Sequence, residues 1–203
     1  MPIKYHQQTK TFHLYNDEIS YIFKVIRNGH LANLYFGKAI RDKEDFDYLF
    51  ETSARAMAVC TYEDDMSFSM EHIRQEYPCY GNGDMHSPAF DILQENGSRL
   101  CDFTYQSHQI MSGKPNFHPL PHIYTESENE MTTLVVTLRD ALLPMTLDLY
   151  YTIDENRPAI MRSAILTNTG EQSLNLDKVM SLSLDLPDSR YEMIELTGAW
   201  SRE

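Results

Sequence analysis

The sequence has few basic residues and no long apolar run, and each shortage excludes a class of partner. Its 203 residues include 17 lysines and arginines against 30 aspartates and glutamates, which gives a formal net charge of −13. Nucleic-acid phosphates are bound by basic surfaces, so this balance argues against a nucleic-acid partner. No apolar run approaches the roughly 20 residues that span a bilayer, so we expect no membrane partner either.

Cysteine is also scarce, and the sequence lacks the usual signatures of cofactor and metal sites. Cys60, Cys79 and Cys101 form no C-x-x-C pair, so we expect ordinary reduced thiols. Reduced thiols and the lack of an apolar segment at the N-terminus favour a cytoplasmic location. There is no glycine-rich phosphate loop, and prolines between His118 and His122 prevent the helix that a zinc-binding pair needs. We therefore expect no cofactor and no metal.

The sequence does contain the two-residue periodicity of β-strands. From Met145 to Ile153, apolar residues alternate with polar ones, which is the pattern of a strand with one buried face. The same alternation recurs in shorter segments, namely 134–138, 174–176 and 180–186. Near the N-terminus, apolar runs flank Asn28 and Gly29, a dipeptide that strongly predicts a tight hairpin. These patterns predict an all-β fold, an antiparallel β-sandwich formed by one domain over residues 1–203.

Segment 41–68 departs from the strand pattern. Apolar residues recur there at roughly helical spacing, and the acidic run 63–65 follows them. The segment is either a short helix followed by a loop or one long excursion from the sheet. Long excursions are often functional, whereas an acidic surface loop is the structural alternative.

Segment 76–90 contains two prolines and Gly81 and Gly83, which is typical of a shaped loop that carries a binding function. Its aromatic residues Tyr77, Tyr80 and Phe90 would either stack on a sugar or, as large aromatics more often do, pack in the core. We expect His86, in this loop, and His108 to make structural hydrogen bonds rather than bind a metal.

An ordered set of motifs resembles the N-terminal domain of the α-galactosidases of glycoside hydrolase family 36. The motifs are Tyr-Phe-Gly-Lys-Ala at 35–39, Glu-Tyr-Pro at 76–78, His-x-Ile at 108–110, Gly-Lys-Pro at 113–115 and Gly-x-Trp-x-Arg-Glu at 198–203. Two adjacent positions depart from the pattern: Met85 and His86 replace the usual Phe-Arg, so this chain lacks that arginine.

The resemblance implies a galactose-mutarotase-like supersandwich that belongs to a retaining glycosidase. Such an enzyme hydrolyses terminal α-galactosyl residues of oligosaccharides, with two carboxyl groups about 5 Å apart. In the family, both catalytic aspartates lie in a (β/α)8 barrel that follows this domain. We therefore expect no catalytic residue within residues 1–203. We expect the barrel to begin after residue 203, so that it is absent from this chain. By the same resemblance, the domain packs on its own barrel and supports a homo-tetramer, and Trp200 lies at the junction with the barrel.

The resemblance also assigns segment 41–68 to substrate binding. In the family, an N-terminal-domain loop reaches the active site of a neighbouring subunit, and this segment aligns with it. Tyr48 and Phe50 are then candidates for an apolar wall beside the sugar, and Asp65 for accepting hydrogen bonds from sugar hydroxyls. Ser53 and Met66 replace an acidic and a basic residue of the family, so a shifted alignment would give the polar role to Asp64 or Asp65.

Two other functions are compatible with such a sandwich. A stand-alone sugar epimerase of the mutarotase type would need its own general acid and base, a histidine and a glutamate that face one cleft. A free-standing carbohydrate-binding module would need only affinity for galactosides.

We also expect the C-terminal segments 179–186 and 194–200 to be sheet strands.

Overall fold

The computed structural model describes residues 2–52, 62–117, 119–120, 122–187, 189–195, 198 and 200–201. Ten strands were identified within them: β1 (Ile3–His6), β2 (Thr11–Tyr15), β3 (Ile19–Val25), β4 (Leu31–Lys38), β5 (Phe90–Leu93), β6 (Phe103–Ser112), β7 (Met131–Asp140), β8 (Met145–Asp154), β9 (Ile160–Asn168) and β10 (Asn175–Val179). The described residues contain no helix that is both long and apolar enough to span a membrane.

The strands form two four-stranded antiparallel sheets and one two-stranded sheet. The first sheet has the order β1-β2-β3-β4, the second has the order β6-β7-β8-β9, and β10 pairs with β5. A single large apolar core lies between the two four-stranded sheets, where side chains such as Phe12 and Phe23 pack with Leu134, Leu147 and Tyr151. The predicted antiparallel β-sandwich is therefore confirmed.

The two strongest local predictions are also confirmed. In β8 the five apolar residues of the alternating pattern are all buried, because this strand contributes one face to the core between the sheets. Strands β3 and β4 form an antiparallel hairpin across Asn28 and Gly29. Gly29 takes φ +87° there, and its N–H donates to the carbonyl of Ile26 at 2.8 Å, which closes the turn that the dipeptide predicted.

The predicted C-terminal strands are wrong. Of segment 179–186 only Val179 is in a strand, and none of the described residues from Ile194 to Trp200 is. Residues 180–186 form no strand but are held by hydrogen bonds to other parts of the protein. The N–H of Met180 donates to the carbonyl of Ala89 at 2.8 Å, the Tyr77 hydroxyl donates to the Met180 carbonyl, and Arg162 donates to the Ser183 carbonyl at 3.0 Å. Most of the apolar residues that alternate in this segment do not face the core, because Met180, Leu182 and Leu186 are 39–46% exposed.

The described part of segment 41–68 contains one short helix, the single 3-10 turn Asp47–Leu49. Ala54 and Met57, which completed the apparent helical spacing, lie outside the described residues. Beyond the segment, a second 3-10 turn, Met70–His72, is capped by the Ser69 hydroxyl, which accepts the N–H of Glu71 at 3.3 Å. Between β4 and β5 the described residues form no strand, and the chain returns to β4 at an isolated antiparallel bridge between Gln75 and Ala32.

Candidate functional site

The two ends of segment 41–68 lie on the first sheet. We call residues 40–50 the entry limb and residues 62–68 the exit limb; residues 53–61 between them are outside the described part of the chain. Phe50 of the entry limb packs into the same small apolar cluster as Tyr62 and Phe68 of the exit limb. The packing therefore brings the two limbs together at the base of the segment.

The entry limb is anchored by an apolar contact on the outer face of the first sheet. Phe46 is completely buried in a cluster with Ile22 of β3 and Leu34 of β4. Burial of such a ring contributes roughly 2 kcal/mol or more. Next to it, Asp47 forms an ion pair with Lys24, whose ammonium group lies 5.9 Å from the centre of the Phe50 ring.

A polar cluster holds the same limb, and we call it the Asp42 clamp. One carboxylate oxygen of Asp42 lies 3.0 Å from His6 Nε2 and 2.8 Å from His13 Nδ1, and the other accepts from Lys4 Nζ at 2.8 Å. Burial alone would raise the pKa of Asp42, but the hydrogen bonds from Lys4, His13 and His6 outweigh it and lower that pKa to about 2. Asp42 is therefore ionised at neutral pH and draws three donors of β1 and β2 onto the entry limb.

Beside the clamp, Ser20, His13 and Asp42 are arranged in space like the serine, histidine and aspartate of a hydrolytic triad. His13 Nε2 lies 3.0 Å from Ser20 Oγ, and His13 Nδ1 faces Asp42. A nucleophile must be reached by substrate, whereas His13 and Ser20 are both completely buried. Ser20 Oγ also accepts the N–H of Ile40 at 3.0 Å. This serine therefore holds the entry limb and is not a nucleophile.

The exit limb is held by Arg27. Its guanidinium donates to Asp65 at 2.6 Å and lies over the rings of Tyr62 and Phe68, about 5 Å from each ring centre. Asp65 also accepts from the hydroxyl and the N–H of Ser67. The Ser67 hydrogen bonds first, and then the Arg27 guanidinium, lower the pKa of Asp65 to about 2.

The structure places the three predicted substrate residues in different surroundings. Tyr48 is 64% exposed beside Lys43, whereas Phe50 is half-buried at the base of the segment. The carboxylate of Asp65 is ionised, but it already accepts three hydrogen bonds, which leaves little room for a bond from a sugar hydroxyl. Its neighbour Asp64 is exposed and has φ +59°, with no hydrogen bond from a described side chain. Asp64 is therefore the freer of the two carboxylates.

A buried carboxylate is the residue that sequence reasoning missed. Glu76 is completely buried, and its carboxylate accepts from Tyr21, Asn33 and Tyr151 at 2.8–2.9 Å. Arg162 of β9 lies 3.1 Å from the same carboxylate. Burial, and then the charge of Glu76, raise the pKa values of Tyr21 and Tyr151 well above 10. The sequence feature that could have pointed to this buried carboxylate was Arg162, the one charged residue in strand β9.

This network lies at the wall of an open cleft of about 210 Å³. The cleft is lined by Tyr21, Phe36, Ile160, Arg162, Ser181, Leu182 and Leu184. No described histidine lines it, so the acid–base pair that a mutarotase-type epimerase needs is not assembled among these residues. The guanidinium of Arg162 is already bound by protein groups, because it donates to the Tyr21 hydroxyl and to the backbone carbonyls of Glu76 and Ser183.

The loop 76–90 is formed as predicted, but its aromatic residues do not form a surface on which a sugar could stack. Tyr77 and Phe90 are buried and stacked with ring centres 5.6 Å apart, and only Tyr80 is partly exposed. His86 lies 2.6 Å from the Asp84 carboxylate through Nδ1. His108 Nδ1 lies 2.7 Å from the Tyr105 hydroxyl, so both histidines make the structural hydrogen bonds expected of them. Within the described ranges, no three metal-binding side chains come together.

Comparison with known proteins identifies the domain. Residues 29–203 match the model of the glycosyl hydrolase family 36 N-terminal domain. The chain is 41% identical over 203 residues to α-galactosidase AgaA of Geobacillus stearothermophilus, which covers all of this chain and 28% of that protein. It is 37% identical over 202 residues to α-galactosidase Mel36A of Lactobacillus acidophilus, which covers 99% of this chain and 28% of that protein.

Solved structures give the same result. The α-galactosidase from Lactobacillus brevis matches with a TM-score of 0.90 at 34% identity, over 97% of this chain and 26% of that one. A variant of AgaA from G. stearothermophilus in complex with raffinose matches with a TM-score of 0.81 at 40% identity, over 88% of this chain and 25% of that one. The chain thus spans little more than a quarter of the length of the curated relatives that it matches. It belongs to the glycosyl hydrolase family 36 N-terminal domain family.

Proposed function

We propose that this chain is the non-catalytic N-terminal domain of a retaining α-galactosidase that hydrolyses terminal α-galactosyl residues of oligosaccharides. The observation that carries the proposal is the match to α-galactosidases along the full length of the chain, at 41% identity to AgaA. In this proposal the two catalytic carboxylates lie in a (β/α)8 barrel elsewhere in the protein, and this domain packs on that barrel. The two described cysteines, Cys79 and Cys101, are not bridged, which supports a reducing, cytoplasmic location.

An exposed apolar surface near the C-terminus supports the packing on a barrel. Several large apolar side chains there are at least 39% exposed: Leu176, Val179, Met180, Leu182, Leu186, Tyr191, Met193, Ile194 and Trp200, with Met193 and Trp200 each 92% exposed. Large apolar side chains that are exposed close together along the chain are compatible with an interaction site. The proposed occupant is the protein's own catalytic barrel.

The first test measures catalysis by the domain alone. The purified 203-residue chain should not turn over an aryl α-galactoside, because its proposed role includes no catalytic carboxylate. The full-length protein, assayed at the same molar concentration, should be active. Turnover by the 203-residue chain above a buffer blank would contradict the non-catalytic role.

We further propose that segment 41–68 forms part of the substrate site of a neighbouring subunit in a homo-tetramer. Tyr48 and Phe50 would form an apolar wall beside the sugar, and Asp65, or the freer Asp64, would accept hydrogen bonds from sugar hydroxyls. Support comes from the base of the segment, where both limbs are anchored to the first sheet, and from the exposure of Tyr48.

The second test measures substrate binding in the full-length protein. Phe50→Ala and Asp65→Ala should each raise KM for raffinose roughly 5- to 10-fold with little change in kcat, since each removes one contact worth about 1 kcal/mol. Asp64→Ala tests the alternative carboxylate, and Asp65→Asn retains an acceptor for the Ser67 hydrogen bonds. Asp148→Asn, on β8 of the other sheet, is the control. Wild-type kcat/KM in all of the loop variants would refute a substrate role for the segment.

A further inference from the structure

The Asp42 clamp lies close to the proposed substrate residues along the chain. Asp42 precedes Tyr48 by six residues and Phe50 by eight, and the fully buried Phe46 lies between them. So short a piece of chain, fixed at its start and its middle, leaves little freedom for the side chains at its end. The position of Tyr48 and Phe50 therefore depends on how the start of the limb is held.

The polar and apolar anchors of the entry limb are physically connected. The Phe46 ring lies edge-on to the His13 ring with centres 5.2 Å apart, and 6.1 Å from the His6 ring. Both histidines therefore contact Asp42 and Phe46 together. A loss of the Asp42 charge would release the two rings that form one wall of the Phe46 site.

The clamp concentrates three donors on one carboxylate that is largely shielded from water. The side chain of Asp42 is 19% exposed, and those of His6 and His13 are 8% and 0% exposed. Hydrogen bonds to a charged group are stronger than those between neutral groups, and shielding from solvent reduces their screening by salt. Glu44 also faces His6, at 3.5 Å from its Nδ1, but it is 85% exposed and contributes less.

We propose that Asp42 is a positioning residue for substrate binding: by holding Lys4, His6 and His13, it fixes the entry limb so that Tyr48 and Phe50 are placed beside the sugar. This inference rests on the proposed substrate role of segment 41–68 and adds the residue on which the placement depends. Asp42 itself does not touch the sugar. The exit limb shares the apolar cluster of Phe50 but has its own polar anchor in Arg27 and Asp65, so it should be disturbed less than the entry limb when the clamp is removed.

The experiment compares Asp42→Asn and Asp42→Ala with the wild type in the full-length protein, with raffinose as substrate. Asp42→Asn keeps the size of the side chain and removes its charge, so it is informative even if Asp42→Ala does not fold. We expect KM to rise roughly 5- to 10-fold, as for the loss of about 1 kcal/mol of binding, with kcat within about 2-fold of the wild type. Asp42→Glu, which keeps the charge, should restore part of the loss. Asp148→Asn, which weakens one hydrogen bond from Thr137 on the other sheet, should have wild-type KM.

Hydrogen exchange separates the clamp from the substrate role. Amide exchange in residues 40–50 should become faster in Asp42→Asn, and exchange in residues 62–68 should change less, because Arg27 still holds that limb. Unchanged exchange in residues 40–50 would overturn the inference. So would a wild-type KM in both Asp42→Asn and Asp42→Ala. If Phe50→Ala and Asp65→Ala raise KM in that case, the inference alone fails; if they too have wild-type KM, the proposed substrate role fails with it.

Discussion

At the residue scale, Gly81 illustrates how a single missing side chain shapes the loop 76–90. Its φ is +144°, and a Cβ at this position would lie 2.6 Å from the carbonyl oxygen of Cys101. The backbone of the loop approaches the start of β6 so closely that Cys101 donates its N–H to the Tyr80 carbonyl at 2.8 Å. Both the dihedral angle and the approach exclude other residues.

Gly97 provides a matched comparison, because its φ of +82° is also unfavourable but a Cβ there would meet no atom within 4 Å. Gly97→Ala should therefore cost roughly 1 kcal/mol of folding free energy from the dihedral angle alone. Gly81→Ala should cost roughly 3 kcal/mol, since backbone must also move. Urea unfolding of the two variants of the 203-residue chain measures the difference. Equal losses would mean that the loop can move away from Cys101.

At the element scale, Glu76 joins parts of the molecule that are distant in the sequence. Its partners Tyr21 and Asn33 belong to the first sheet, and Tyr151 and Arg162 belong to the second. Arg162 extends the connection to the C-terminal segment through the Ser183 carbonyl. One buried ion pair thus fixes the two sheets, the loop 76–90 and segment 180–186 relative to one another.

Removal of one charge of this pair should be strongly destabilising. Glu76→Gln leaves the Arg162 guanidinium buried without its counter-charge, and we expect a loss of roughly 3–5 kcal/mol in the free energy of unfolding. The double variant Glu76→Gln with Arg162→Met should recover part of this loss, because no charge then remains buried. Chemical denaturation of the single and double variants measures the coupling. Additive effects of the two substitutions would show that the charges do not interact.

At the scale of the whole molecule, burial of histidines should make the stability depend on pH. Burial lowers the pKa of His13 and of His108 below the usual 6.5. The unfolded chain therefore binds protons more readily than the native protein once the pH falls below about 6.5. As a result, the stability that these neutral rings provide is lost as the pH falls through their native pKa values. Below about pH 4 a second loss should begin, because the pKa values of Asp42 and Asp65 are lowered to about 2.

Urea unfolding of the 203-residue chain from pH 8 to pH 3 tests this dependence. We expect the free energy of unfolding to be highest above pH 6.5 and to fall in two stages on acidification. His108→Phe keeps a ring in contact with Tyr5 and Phe12 but removes one titrating group, so its decline between pH 6.5 and pH 5 should be shallower. The same decline in this variant would exclude His108 as a source of the pH dependence.

The sequence by itself determined the local structure and the fold class. The alternation in β8 and the turn at Asn28 and Gly29 depend on residues that are close in the chain, and such patterns can be read without knowledge of the fold. The ordered motifs similarly indicated the family, which the comparisons confirm. The same local rule failed at 180–186, because alternation along the chain does not reveal whether a segment has a strand partner.

The tertiary structure alone decided which polar residues are buried together. The Glu-Tyr-Pro motif at 76–78 indicated the family but not that Glu76 is buried, and its carboxylate pairs with Arg162 across 86 residues of chain. Asp42 likewise meets His6 and His13 only because β1 and β2 lie side by side beneath the entry limb. A buried charge needs partners from several directions, and directions in space are set by the packing of the sheets rather than by spacing along the chain.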